Sequence, residues 1–340
     1  MTEFRFLIKR LILGYATNAP AEAIYPFVVS ARRWHRPDDT RIALFVTPGG
    51  SDAEAVAALA NDFGIELLPA TSQWRGPRSR WAKIAARGAL AWWKAWDRLD
   101  RVRLGEKPSI AGSSVFRSQD QSREIALGAW CHPHYTRWLD YLRMLETNHG
   151  IREVFLSDVT DVIFQRNIFE RLDPQRISIA QQPLVFDGHN VDSGWLRDAL
   201  GPNRLEALMG QPVMCVGTVG GPIGPMIQLC RTLWNVFAQR PFGGVEQAYF
   251  NDLFYCGALG SCAVRSNDDG FVLTITSPQE CPRLAAGPNG LRYAGSVPAA
   301  VHMYNRLPEQ WRASIDAVIH GQCKSPGSLE SRRDTLAQRT

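Results

Sequence analysis

Strand-length apolar runs and helix-period segments alternate through the first seventy residues, and few folds accommodate that order. Residues 6–13 form an apolar run, and Gly14-Tyr15-Ala16-Thr17-Asn18 after it reads as a turn. Residues 21–34 have helical spacing, with Ile24, Phe27, Val28 and Ala31 on one side. A second β-like run, 41–46, stops at Pro48-Gly49-Gly50, where Ser51 or Asp52 is placed to cap a helix over 53–62. A third short strand covers 65–68. Strand, helix, strand, helix, strand implies parallel pairing through right-handed crossovers. Ligands of such sheets bind beyond the carboxyl ends of the strands, which makes Gly14–Asn18 a candidate ligand loop.

Composition narrows the class. Of 340 residues, 45% are hydrophobic and 21% charged, which excludes a disordered or fibrous chain. Lys and Arg number 38 against 33 Asp and Glu. The resulting +5 suits an anionic small molecule or a lipid surface as readily as nucleic acid. The seven cysteines are odd in number and contain no Cys-x-x-Cys pair, a poor disulfide framework and a poor zinc site. Reduced thiols and a cytoplasmic location are the expectation. Arg5, Lys9 and Arg10 interrupt the apolar start, so no signal peptide is read there, and no apolar run is long enough to span a bilayer.

Residues 72–103 differ from their surroundings. Nine cations face two acids, and Trp74, Trp81, Trp92, Trp93 and Trp96 supply five of the eleven tryptophans. A basic, Trp-rich helix here suits peripheral contact with an anionic membrane at its inner face. The bland alternative is tryptophans packed on the main domain under a solvated arginine face. Interleaved cations and aromatics also fit single-stranded nucleic acid, but the modest charge and the lack of a nucleic-acid-binding signature argue against it. Residues 104–122 read as a polar loop, and 321–340 as a disordered tail.

Farther along, a helix is expected over 133–147 and strands over 153–157, 177–180, 213–216, 262–265, 272–276 and 300–304. Helical runs occupy 225–239, 245–255 and 308–320. With no internal repeat and no dividing linker, residues 1–320 read as one α/β domain, a mostly parallel sheet flanked by helices, with 72–122 inserted.

The densest chemistry lies in Val154-Phe155-Leu156-Ser157-Asp158-Val159-Thr160-Asp161-Val162-Ile163-Phe164-Gln165. An apolar strand delivers two carboxylates, three residues apart, to its carboxyl end. Their mutual repulsion is relieved by a divalent cation, and Mg²⁺ or Mn²⁺ prefers such oxygens while keeping positions open for diphosphate. The plainer alternative is one Asp capping a short helix and the other facing water.

This run resembles the acidic motif of nucleotide-sugar-dependent glycosyltransferases of the GT-A fold, a subset of which have Asp-x-x-Asp, two apolar residues and Phe-Gln. Three later segments follow in the family's order. Cys215-Val216-Gly217-Thr218-Val219-Gly220-Gly221 resembles the acceptor-side loop, with Cys215 where Asn is commoner. Gly243-Gly244-Val245-Glu246-Gln247-Ala248-Tyr249-Phe250-Asn251 resembles the Asp-Gln-x-x-x-Asn helix start, with Glu for Asp. Val301-His302-Met303-Tyr304-Asn305-Arg306 resembles the segment whose histidine completes the metal shell.

The resemblance implies Mn²⁺ or Mg²⁺ among Asp158, Asp161 and His302, with Asp161 on the metal and Asp158 on the metal or the ribose. It implies a nucleotide-diphosphate sugar, UDP-linked by slight preference, held by Tyr15, Thr17, Asn18, Asp158, Gly220, Gly221, Gln247 and Arg306. Glu246 is the catalytic candidate, with Asp252 and Asp187 in reserve. The acceptor would be a glycan, a lipid-linked sugar or another hydroxyl, as in polysaccharide biosynthesis, and retention or inversion stays open. The alternative of the same fold is a non-catalytic nucleotide- or glycan-binding module. A haloacid-dehalogenase-type phosphatase would need Asp-x-Asp, one residue tighter. His132-Pro133-His134 reads as a surface turn.

Overall fold

The computed structural model describes residues 8–50, 52–72, 88, 128–129, 131–240, 245–277, 282–287 and 290–320. The basic, Trp-rich stretch apart from Ser72 and Gly88, the 104–122 loop and the 321–340 tail lie outside them.

A seven-stranded, mostly parallel sheet forms the centre. Its strands are β1 (Arg10–Tyr15), β2 (Thr40–Val46), β3 (Glu66–Pro69), β4 (Glu153–Ser157), β6 (Ile177–Val185), β7 (Pro212–Pro222) and β8 (Cys262–Arg265), in the order β3-β2-β1-β4-β7-β6-β8. Only β7 runs against its neighbours. A three-stranded sheet joins β5 (Val162–Phe164), β12 (Ala300–His302) and β9 (Val272–Thr274), and β10 (Leu284–Gly287) pairs with β11 (Gly290–Tyr293).

Side chains alternate across the central sheet. Leu11 and Leu13 of β1, Ala43 and Phe45 of β2, and Val154 and Leu156 of β4 enter one core; Ile12, Ile42, Leu44 and Phe155 enter the other. The first core is closed by α3 (Pro133–Thr147), α6 (Ile223–Phe237) and α7 (Glu246–Tyr255), with Tyr135 stacked on Phe237 at 4.1 Å. The second is closed by α1 (Ala21–Trp34) and α2 (Ala53–Phe63). Two shorter helices, α4 (Val191–Leu200) and α5 (Pro202–Leu208), pack on each other, and α8 (Glu309–His320) ends the described chain.

Several elements differ from expectation. Gly14 and Tyr15 end β1 rather than open a turn, because Gly14 pairs with Leu44 on one side and Ser157 on the other. Gly217–Gly221 are strand, not loop. A Cβ on Gly220 would lie 2.9 Å from both Phe155 Cδ2 and the Val154 carbonyl oxygen, and one on Gly221 3.0 Å from the Arg176 carbonyl oxygen. These glycines allow close strand packing at ordinary φ, not a left-handed turn. The strand expected over 300–304 stops at His302, since Met303 turns at φ 60°. The turn after Asp158 leads into β5, not a helix.

His35 makes one fold contact titratable. It is fully buried, with Nδ1 2.8 Å from the Ala31 carbonyl oxygen and Nε2 accepting from the Ile168 N–H at 3.1 Å. A second proton would set two donors against each other. Burial, only partly offset by the Ala31 carbonyl and Asp39, lowers this imidazole to about 4. The unfolded chain therefore binds the proton first as pH falls. Stability is expected to be complete above the ordinary histidine value and to drop by about 3 kcal/mol as pH falls towards 4. Urea midpoints of wild type and His35→Gln across that range check this, the wild-type curve being the steeper.

Candidate metal centre

The site sits where the strand order reverses. β1 leads to β2 on one side and borders β4 on the other, so the turns after β1 and β4 emerge together at one sheet edge, the place for a ligand in this architecture. Asp158 directly follows β4 and its N–H donates to the Gly217 carbonyl at 2.7 Å. The next residues cross over Gly14, where a Cβ would overlap Val159. The chain then enters β5, and β12 pairs antiparallel with it, setting His302 opposite Val162. The Met303 N–H closes the join on the Asp161 carbonyl at 2.7 Å. Residues 141 positions apart thus meet.

His302 Nε2 lies 3.5 Å from Asp158 Oδ2 and 3.7 Å from Asp161 Oδ1, and one ligand atom from each of the three residues fits within 4.8 Å. Ligands about 2.0–2.2 Å from a shared ion stand roughly 3–4 Å apart, so the spacing suits one dication. Two buried atoms aimed into this space, Asp161 Oδ1 and His302 Nε2, have no hydrogen-bond partner. Such orphans are costly unless something else meets them. Gly217 leaves the space open: a Cβ there would overlap Asp158 Oδ2 and lie 2.7 Å from His302 Cε1. The Asp158, Asp161 and His302 cluster can hold a metal ion.

Its electrostatics are uneven. Burial alone would raise the Asp158 carboxyl, but Arg137 and then His302 outweigh it and hold it well below the usual range. Burial raises Asp161, only partly countered by His302, with the Asp158 charge adding to the rise. Burial would lower His302, yet Cys215 and the two carboxylates push it well above the ordinary value. Cys215 Sγ is 3.3 Å from His302 Nδ1. With Nδ1 held on the sulfur, Nε2 faces the carboxylates, so exchanging its proton for a cation would give the orientation a ligating histidine needs.

Beneath the cluster lies a buried ion pair that sequence reading missed. Arg137 of α3, 5% exposed, donates from Nη1 to Asp158 Oδ1 at 2.5 Å and from Nε to Glu246 Oε2 at 2.9 Å, with Nη2 2.8 Å from Glu246 Oε1. Trp138 Nε1 also donates to Glu246 Oε2, at 2.8 Å. Burial raises the Glu246 carboxyl, and Arg137 partly offsets this. The available signal was an arginine inside the apolar Tyr135, Trp138, Tyr141 stretch of a helix, where a cation must find a buried partner.

The other expected site residues fall into two groups. Gln247 lies close: its Oε1 accepts from the Val216 N–H at 2.9 Å and its Nε2 donates to Asp192 at 3.2 Å. With Asn251, which bonds both backbone groups of Met214, it clasps β7 beyond the end of β4. Arg306 is exposed on the turn after His302, and its charge lowers both Asp161 and Asp192. Thr17 is half-buried and Asn18 exposed, with φ 58°, in the turn after β1. Elsewhere, the Tyr15 hydroxyl is committed to Asp140 at 3.0 Å. Gly220 and Gly221 lie inside the sheet, Asp252 pairs with Arg204, and Asp187 accepts the backbone N–H groups of His189 and Asn190.

Among the described residues no helix is long and apolar enough to cross a membrane, and Cys131, Cys215, Cys230, Cys256 and Cys262 are free thiols. Set against known proteins, the chain matches no family model and no curated protein.

Proposed function

We propose that this chain is a metal-dependent glycosyltransferase of the GT-A type, moving a sugar from a nucleotide-diphosphate sugar to a glycan, lipid-linked or other hydroxyl acceptor. The observation that carries it is the meeting of Asp158, Asp161 and His302 at the carboxyl edge of a mostly parallel sheet, with orphaned polar atoms turned inward. Asp158, Asp161 and His302 would hold Mn²⁺ or Mg²⁺. When bound, such an ion neutralises charge developing on a departing diphosphate.

The chain's own residues do the rest. Arg137 keeps Asp158 ionised and aimed at the cluster. Cys215 orients the His302 ring. Arg306, exposed beside Asp161, is placed to take a phosphate oxygen in its fork. Thr17 and Asn18 form the neighbouring rim, where the nucleoside would lie.

One observation favours the second reading, a non-catalytic nucleotide- or glycan-binding module. Glu246 is 6% exposed and both its oxygens are engaged, so it offers no free carboxylate base. Hydrolysis of UDP-glucose, UDP-galactose and GDP-mannose with Mn²⁺ separates the two. The enzyme reading expects metal-dependent release of nucleotide from at least one donor, lost in Asp161→Ala. Tight UDP and Mn²⁺ binding without release from any donor would favour the module.

A further inference from the structure

The first turn of α4 carries a carboxylate that the metal centre does not use. Asp192 is 7% exposed, and among the described residues one side chain donates to it, Gln247 through Nε2 at 3.2 Å from Oδ1. A carboxylate accepts at both oxygens, so a buried one with a single side-chain donor is left wanting a partner. Its place is fixed from two sides. The Gln247 amide also accepts from the Val216 N–H at 2.9 Å. Val216 sits in β7 between Cys215, whose sulfur meets His302 Nδ1, and Gly217, where a Cβ would overlap Asp158 Oδ2. From the other direction, the charge of Arg306 acts on Asp161 and Asp192 alike. Asp192 therefore borders the metal cluster.

An aromatic side chain stands next to it. Trp195 lies three residues farther along α4, the spacing that sets two side chains side by side on a helix. It is 40% exposed, and among the described residues its indole meets no other ring and no cation. Ser193 and Leu196 are buried on the far flank of Asp192, while Val191 is exposed on the far flank of Trp195. Across its surface α4 thus passes from a buried carboxylate to an open indole. A pyranose suits that pair: its rim hydroxyls donate to a carboxylate, and the polarised C–H groups of its faces settle on the electron-rich face of an indole. A phosphate would be repelled by Asp192, and a hydrocarbon chain would leave the carboxylate without a donor.

From this juxtaposition we infer that Asp192 and Trp195 form the acceptor subsite, which takes a neutral pyranose of a glycan with a ring hydroxyl on Asp192 and a ring face on Trp195. The subsite rests on the glycosyltransferase reading and narrows its acceptor from any hydroxyl to a sugar. The open indole places this ring on the outer side of the cluster, away from the diphosphate that Arg306 takes. Gln247 is the positioning residue, since its bonds to β7 and to Asp192 set where the carboxylate stands.

The full chain with Mg²⁺, with and without UDP, is titrated with lactose, maltose, cellobiose and diacetylchitobiose, read by saturation-transfer NMR on the disaccharide. At least one should bind, with saturation concentrated on the C–H protons of one ring face. Trp195→Ala should weaken it by about tenfold. Asp192→Asn should weaken it by about 10–100-fold, the range for a hydrogen bond to a charged group. Calorimetry should show both variants still binding Mn²⁺, so that the loss is not one of folding. A chain that binds Mn²⁺ and UDP but none of the disaccharides, or affinity that neither variant lowers, overturns the subsite and leaves the metal centre standing. Displacement of the disaccharide by UDP overturns it too, since the ring would then occupy the nucleotide's place. Flotation with phosphatidylcholine vesicles that Trp195→Ala abolishes would assign the indole to lipid instead. A wild-type chain that binds neither Mn²⁺ nor UDP overturns the glycosyltransferase reading itself, and the acceptor role with it.

Discussion

Arg137→Met will destabilise the folded chain by about 3–5 kcal/mol at neutral pH, since it strands the buried Glu246 carboxylate and leaves the half-buried Asp158 without their shared cation. The guanidinium reaches Asp158 and Glu246 at once. Arg137→Lys should recover little, because a single ammonium cannot span both partners. The deficit should depend on pH in a defined sense. Without Arg137, burial holds the Glu246 carboxyl above its unfolded value, so the folded variant binds the proton more readily than the unfolded chain. Its stability is then fullest at low pH and is lost as pH rises through the raised folded value. Urea midpoints at acid and neutral pH, taken with chelator present, should show the gap to wild type narrowing on acidification. A gap that stays constant would mean that the damage is lost packing on Trp138 rather than stranded charge.

Removing one of the groups proposed to hold the metal should have the opposite signature. His302→Ala and Asp161→Asn should each weaken Mn²⁺ binding by more than about 100-fold, since loss of outer partners alone commonly costs 10–100-fold. Wild type at ~100 times its Kd should gain about 2.7 kcal/mol from Mn²⁺, seen as a rise in Tm that both variants lack. Metal-free Asp161→Asn should be no less stable than metal-free wild type. Its carboxylate is half-buried, has a buried oxygen with no hydrogen-bond partner and lies beside Asp158, so neutralising it relieves repulsion. A large fall in metal-free stability would show that Asp161 serves the fold through contacts other than those described.

Regular elements were legible where one period dominates. α1 shows in its apolar spacing and β4 in an uninterrupted run ending at a polar residue. The Asp158 and Asp161 pair was visible because two carboxylates after such a strand need an explanation. His302 joins that pair in the sequence only through the family resemblance, because the β12 pairing with β5 that brings it to Asp161 is not announced by its own neighbourhood. What escaped depends on distant chain. Gly220 and Gly221 resemble part of a loop in sequence because glycine commonly marks one, whereas here they admit close packing between strands. Arg137 was one of 38 basic residues, and only its partners set it apart. His134 read as part of a surface turn, which its exposure fits, but α7 brings Glu246 up behind it. α4, α5 and the β10–β11 pair were not anticipated, their apolar patterns being too short to show a period.

The central claim is that one dication is gripped by groups from the middle and the far end of the chain. Calorimetric titration of Mn²⁺ into the metal-free protein, alone and with UDP, tests it most directly. The account predicts one Mn²⁺ per chain, tightened by UDP and lost in His302→Ala. Absence of Mn²⁺ binding in wild type, or binding that His302→Ala leaves unchanged, would contradict it.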